Sequence, residues 1–185
     1  KSNFRNLFDF LSNVVKIEKL EEFQGIDFKF KQGNFYINEE LAGYSITLST
    51  SQQLKGSNYL NVKWIIFDEF IPESSERTMK NEGETFLNLY ETVNRNRELK
   101  GKKPVFVLLM ANSNQIASSI LLQLQLVRPI AKMIKGKQSY WYDKERSVSI
   151  IYPIDSPISQ RKAGTALYKL TGAGSFADMA LSNVF

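Results

Sequence analysis

The sequence predicts an α/β fold, a largely parallel sheet flanked by helices with an antiparallel meander near its N-terminal end, and three observations predict it. Strands are expected at residues 62–67, which carry the unbroken apolar run Trp64-Ile65-Ile66-Phe67, and at 105–110, apolar throughout; both are short and of the kind that lie in helix-covered parallel sheets. Between them Phe86, Leu89, Tyr90 and Val93 recur at helical spacing, so strand, helix and strand alternate. Near residue 30, Phe28 and Phe30 alternate with charged residues, which is the period of a strand with one wet face.

In chain order, Phe4, Leu7, Phe8, Leu11 and Val15 predict an amphipathic first helix over residues 1–15. The Phe28/Phe30 strand turns at Gln32-Gly33-Asn34 into a return strand over residues 35–37, and a third strand is expected at 44–48 after Asn38-Glu39-Glu40. Residues 49–58 are polar and read as a loop leading to the strand at 62–67. A further loop follows Pro72, and a helix begins near Asn81 or Glu82 and ends at Arg95-Asn96-Arg97, before the breaker Gly101-Lys102-Lys103-Pro104. The strand at 105–110 leads into Ala111-Asn112-Ser113-Asn114. Ile116, Ile120, Leu121 and Leu124 then give a helix expected to end before Pro129. Beyond it lie a polar Tyr140-Trp141-Tyr142 segment, a strand at 148–152 and a Ser/Arg/Lys/Gly-rich end.

Composition limits the chemistry. With 185 residues, 43% hydrophobic and 23% charged, the chain is expected to be one globular domain. It has no cysteine and no histidine, which removes disulfides, thiolate metal sites and Ser-His or Cys-His catalysis. Carboxylate, lysine and arginine chemistry remain. A net charge of +5 favours a polyanionic partner, or simply a lysine-rich surface. No stretch approaches the eighteen apolar residues of a membrane span, so no membrane partner is expected.

The pattern richest in chemistry is Trp64-Ile65-Ile66-Phe67-Asp68-Glu69. A buried strand that delivers two acids at its C-terminal end is how P-loop ATPases present a magnesium ligand and a water-orienting glutamate, in the crevice where open α/β sheets bind ligands. Asp68 would hold Mg²⁺, through water, and Glu69 would orient the attacking water. The plainer alternative is a core strand meeting solvent at a polar turn.

Asn61-Val62 leading to Ile66-Phe67-Asp68-Glu69-Phe70-Ile71, then Leu87-Asn88-Leu89, Thr92-Val93 and Arg95-Asn96-Arg97-Glu98, resemble the DNA-packaging ATPases of phi29-like phages. Phe35-Tyr36-Ile37 with Leu41-Ala42-Gly43, and Asp178-Met179-Ala180-Leu181-Ser182-Asn183-Val184-Phe185, match further segments. The resemblance covers most of the chain and is weakest over residues 122–160. It implies a P-loop NTPase core of the RecA-like, ASCE type, related to the FtsK and HerA translocases. It also implies ATP and Mg²⁺ as cofactors and a ring homo-oligomer, a pentamer, that drives double-stranded DNA into a prohead. The setting would be the bacterial host's cytoplasm, with transient docking on the phage portal or prohead; the need for a packaging RNA stays open.

Carried over by position, Asp68 and Glu69 are the acidic pair, and Arg95 is the arginine finger that reaches a neighbouring subunit's γ-phosphate, with Arg97 able to share the role. Read without the resemblance, both arginines cap a helix C-terminus against its dipole. Asn112 sits where these motors keep a polar sensor, although a loop Asn also caps helices. Lys55 matches a lysine thought to act across the subunit boundary and otherwise reads as a solvated loop residue. Lys100, Lys102 and Lys103, with Arg128, Lys132, Lys135 and Lys137, form two basic clusters able to follow a phosphate backbone or simply to solvate a face.

The sequence departs from the family pattern in one respect. No G-x-x-x-x-G-K-[ST] occurs in it, so the loop that cradles the β and γ phosphates is missing from these residues. The resemblance puts that loop just upstream of the segment matching residues 1–14 and a nuclease-like domain after Phe185, so residues 1–185 are expected to be an ATPase domain whose phosphate loop lies outside them. Two other functions remain open: a non-catalytic nucleic-acid-binding module derived from such an ATPase, and a metal-dependent nuclease using Asp68 and Glu69. Adjacent strand residues point to opposite faces, which disfavours the nuclease.

Overall fold

A computed structural model of the chain describes residues 20–54, 59–72, 79–112, 116–153, 161 and 164–171. The predicted first helix, Lys55 and the C-terminal match over residues 178–185 lie outside them. The fold is a mixed α/β arrangement in two compact units, Lys1–Val62 and Lys63–Phe185.

In the first unit, strands β1 (Phe28–Lys31), β2 (Asn34–Ile37) and β3 (Glu40–Tyr44) form an antiparallel meander in chain order. Both connections are tight because two residues in each adopt positive φ, Gln32 (51°) with Gly33 (78°) and Asn38 (50°) with Glu39 (67°), which matches the twist of the flanking strands. The second of these turns corrects the expected third strand. A two-residue hairpin at Asn38-Glu39 starts β3 at Glu40, so the strand ends at Tyr44 instead of beginning there. The Asn38 side chain accepts from the Asp27 N–H at 2.9 Å, and Lys29 is paired with both Asp27 (2.8 Å) and Glu39 across the hairpin. Those two partners hold the Lys29 ammonium above the usual lysine range. Phe30 packs on Phe35 (ring centroids 4.9 Å apart), and Tyr44 meets Tyr59 edge-on. The expected loop from residue 49 begins as a 3₁₀ segment over Leu48–Leu54.

In the second unit, β4 (Trp64–Asp68) and β5 (Phe106–Met110) pair in parallel, with Trp64 opposite Phe106 and Asp68 opposite Met110. They are joined through helix α1 (Glu82–Asn94), which begins and ends where its spacing predicts. Helices α2 (Ser119–Gln123) and α3 (Val127–Lys135) follow, then the hairpin of β6 (Tyr140–Asp143) and β7 (Val148–Ile151), and α4 (Ala166–Thr171). Phe86, Val93, Val105, Ile120, Leu121, Leu126 and Met133 form the core. Phe67 on β4 meets Phe86 on α1 at 5.9 Å, which fixes the acidic strand against its helix.

Two expectations about the sheet need correction. Residues 62–67 and 105–110 are not covered on both faces: Trp64 is 57% and Ile66 63% exposed, and Phe106 and Leu108 share their exposure, because among the described residues the helices cover only the opposite face. Parallel pairing among the described residues is confined to β4 and β5, and the other strand pairs are antiparallel. The helix after β5 ends before Pro129, as its spacing predicts, and is short. It stops at Gln123, and α3 takes Pro129 into its first turn, where a missing N–H costs nothing. The Tyr140-Trp141-Tyr142 segment proves to be a strand, turned back on Val148–Ile151 with the Asp143 carboxylate accepting from the Arg146 N–H at 3.1 Å.

Gly83, in the first turn of α1, lets that helix lie against the start of α2, and its N–H donates to the Ser119 hydroxyl at 3.0 Å. A Cβ there would stand 2.5 Å from the Ser119 carbonyl oxygen. Gly83→Ala is therefore expected to cost about 3 kcal/mol, despite alanine's better helix propensity, through forced separation of the two helices. Denaturant unfolding reads this directly; an unchanged or raised midpoint would show that the helices part freely.

Candidate composite nucleotide site

Parallel register brings the C-terminal ends of β4 and β5 together, and with them three of the singled-out residues. Asp68 closes β4 opposite Met110, Glu69 follows it, and Asn112 lies two residues past Met110 at the same end of the sheet. All three are exposed. Glu69 has a φ of 55°, a conformation costing a non-glycine residue roughly 1 kcal/mol. Its N–H donates to Asp68 Oδ1 at 3.0 Å, and the next N–H, that of Phe70, donates to the Met110 carbonyl at 3.2 Å. The chain thus turns sharply at Glu69 while Phe70 and Ile71 return to the core, so the two carboxylates stand at the lip of the sheet on an anchored turn. Asn112 does not cap the following helix: Ser118 does, accepting from the Leu121 N–H at 3.2 Å.

Two exposed adjacent carboxylates suit a Mg²⁺ ion that keeps several waters and takes its remaining oxygens from nucleotide phosphates. Among the described residues no group of three or more Asp, Glu, His or Cys side chains could hold a metal unaided. For the phosphates themselves these residues supply no glycine-rich cradle, in keeping with the missing sequence motif.

The arginines lie elsewhere. Helix α1 runs back along the sheet, so its last residue, Asn94, meets the start of β5, where its Oδ1 accepts from the Val105 N–H at 2.9 Å. Arg95 and Asn96 follow with φ of 45° and 52°. Val105 is one strand length from Met110, about 17 Å at the usual rise, and the opposite end of α1 is about 20 Å away. Arg95 is therefore separated from Asp68 and Glu69 of its own chain by more than its side chain spans. Arg95 is exposed, whereas Arg97 is only 7% exposed, and its carbonyl accepts from the N–H groups of Lys100 (2.9 Å) and Lys102 (3.0 Å). Glu98 is held below the usual carboxylate range, first by its own backbone N–H, then by the Asn94 amide and by the Arg97 charge.

The exposed Lys100, Lys102 and Lys103 share the Arg95 end of the sheet. On α3, Arg128, Lys132 and Lys135 form an exposed cationic stripe, and Ile130 and Met133 bury the opposite face; Lys137 is exposed just beyond. Sequence reasoning attached no role to Asn94. Its signal was a polar residue at the last helical position, four before Glu98 and directly before the arginine. Among the described residues no helix is long and apolar enough to cross a membrane.

A family model for the podovirus DNA encapsidation protein (Gp16) matches residues 2–185. The DNA packaging proteins of Bacillus phages PZA and phi29 are each 32% identical over 166 residues, which is 89% of this chain and 46% of theirs. That of Bacillus phage B103 is 30% identical, over 48% of its length. The chain thus spans about half the length of the curated relatives it matches. Among solved structures, the N-terminal domain of the DNA packaging ATPase from bacteriophage phi29 superposes with a TM-score of 0.62 at 30% identity, over 83% of this chain and 70% of that one. The phi29 viral genome packaging motor assembly gives 0.58 at 26% identity, over 94% of this chain and 51% of that one.

Proposed function

The chain belongs to the podovirus DNA encapsidation protein (Gp16) family, and from that premise we propose that it is the catalytic portion of an ATP-driven motor that translocates double-stranded DNA into a prohead. The intact protein works as a homo-oligomeric ring, a pentamer, docked on the prohead portal in the cytoplasm of the bacterial host, with packaging RNA as a further partner. This reading requires the phosphate loop of a P-loop NTPase core, which residues 1–185 do not hold, from elsewhere in the intact protein.

Each site is shared between neighbours. Asp68 would hold Mg²⁺, and the Glu69 carboxylate accepts a hydrogen bond from the attacking water and draws its proton. Asn112 reports on the γ-phosphate, donating through its amide nitrogen. Arg95 enters from the adjacent subunit to neutralise charge that develops in the transition state, and the buried Arg97 supports the turn that carries it. Bound Mg²⁺·ATP supplies the phosphoanhydride whose hydrolysis drives the motion. The observation that carries this reading is the separation of Arg95 from Asp68 and Glu69 along β5, which leaves a finger at that position only a neighbour's site to serve. Glu69→Gln in the intact protein tests it: ATP turnover should fall by about 10²- to 10⁴-fold with the melting temperature unchanged, and turnover at the original rate would overturn it.

The α3 stripe is the part of this surface that grips DNA, by phosphate contact without base reading. Lys132→Ala combined with Lys135→Ala should weaken DNA binding equally for all sequences and flatten the slope of log K against log salt by about 0.9 per lost contact. A slope unaltered by the double change would remove α3 from the interface.

A further inference from the structure

We infer that Asn94 is a positioning residue for the arginine finger, through a side-chain clamp that ties the end of α1, the following 3₁₀ turn (Glu98–Lys100) and the residue that leads into β5 into one rigid mount. The inference rests on the proposed trans role of Arg95 and deepens it.

Asn94 is 5% exposed and uses both ends of its amide. Oδ1 accepts from the Val105 N–H at 2.9 Å, and Nδ2 donates to Glu98 Oε2 at 2.9 Å. One side chain therefore closes the connection from both sides, since it joins the last residue of the helix to the middle of the loop and to the first residue beyond it. Inside that closure the backbone wraps on itself: Lys100 and Lys102 donate to the Arg97 carbonyl, and Gly101 donates to that of Glu98 at 3.0 Å. Arg95 and Asn96 are consecutive non-glycine residues at positive φ, a conformation that persists only when its surroundings over-determine it. The buried neighbours Val93, Asn94 and Arg97 bracket the exposed Arg95 closely on both sides. A capping role for the arginine needs no such mount, whereas a finger does, because its effect depends on a guanidinium held in place before the charge appears.

The inference is tested in the intact protein by kinetics and by mixing subunits. Asn94→Ala should lower kcat by about 10- to 100-fold with KM for ATP changed less than about twofold, since the finger acts on the transition state. Glu98→Ala, which leaves the Val105 bond in place, should show the same split with a smaller loss, and it carries the test if Asn94→Ala fails to assemble. Mixed with Glu69→Gln subunits, which have a sound finger and a dead site, either clamp variant should regain activity; mixed with Arg95→Ala subunits, neither should. A merely structural defect would not sort the clamp with the finger. Unchanged kcat in both variants, or rescue by Arg95→Ala subunits, or no rescue by Glu69→Gln subunits while Arg95→Ala is rescued by them, would overturn the clamp. If Arg95→Ala and Glu69→Gln fail to rescue each other, the trans finger itself falls, and the clamp with it.

Discussion

Arg95→Ala in the intact protein is expected to lower ATP turnover by about 10³- to 10⁵-fold while leaving ATP affinity and the melting temperature almost unchanged. The size follows from timing: a guanidinium that meets charge only as the γ-phosphoryl leaves stabilises the transition state and not the bound nucleotide, so the loss falls on kcat. The selectivity follows from exposure. Arg95 is exposed, so its removal leaves no buried partner stranded. Arg97, at 7% exposure, is expected to respond differently, because removing a buried arginine costs stability first and activity as a consequence. Steady-state hydrolysis with thermal unfolding of both variants separates the two. A small kcat effect at Arg95 would return that residue to helix capping.

Phe86→Ala is expected to cost about 3 to 5 kcal/mol, the largest stability loss of any change considered. Phe86 is 2% exposed, sits on the face of α1 that covers the parallel strands, and packs on Phe67, the residue directly before Asp68. Its removal opens a cavity beneath the acidic turn and loosens the contact that sets helix against strand. Denaturant unfolding checks the magnitude, and Phe86→Leu, which refills most of the space, should recover more than half of the loss. A cost below about 1 kcal/mol would mean that α1 is not held by this core.

Sequence patterns revealed the parts of the fold that depend on local periodicity and turn chemistry. The spacing of Phe86, Leu89, Tyr90 and Val93 defined α1, and the apolar runs defined β4 and β5, because burial on a helix leaves a pattern in the chain itself. The start of β3 was missed since Asn38-Glu39 adopts two consecutive positive φ values without a glycine to announce them. The strand at Tyr140-Trp141-Tyr142 was missed because its partner lies across an Asp143-centred turn. Exposure of Trp64 and Ile66 could not be foreseen, since an apolar run is the same string whether one face is covered or two.

The candidate site was legible residue by residue but not as an arrangement. Adjacent acids after a strand marked Asp68 and Glu69, and the paired arginines after a helix marked Arg95 and Arg97. Only the parallel register, and the Asn94 bond to Val105, put the acids and the arginines at opposite ends of the sheet. The same spacing in sequence would have allowed a finger acting within one chain.

The measurement that bears most directly on the shared site is ATP hydrolysis by intact subunits carrying Arg95→Ala mixed in varying ratio with subunits carrying Glu69→Gln. Each variant alone should be inactive, and the mixture should regain activity that peaks near equal proportions, because only an interface joining a sound Glu69 to a sound Arg95 from the neighbour can turn over. Activity that stays at the level of the separate variants at every ratio would contradict a site divided between subunits.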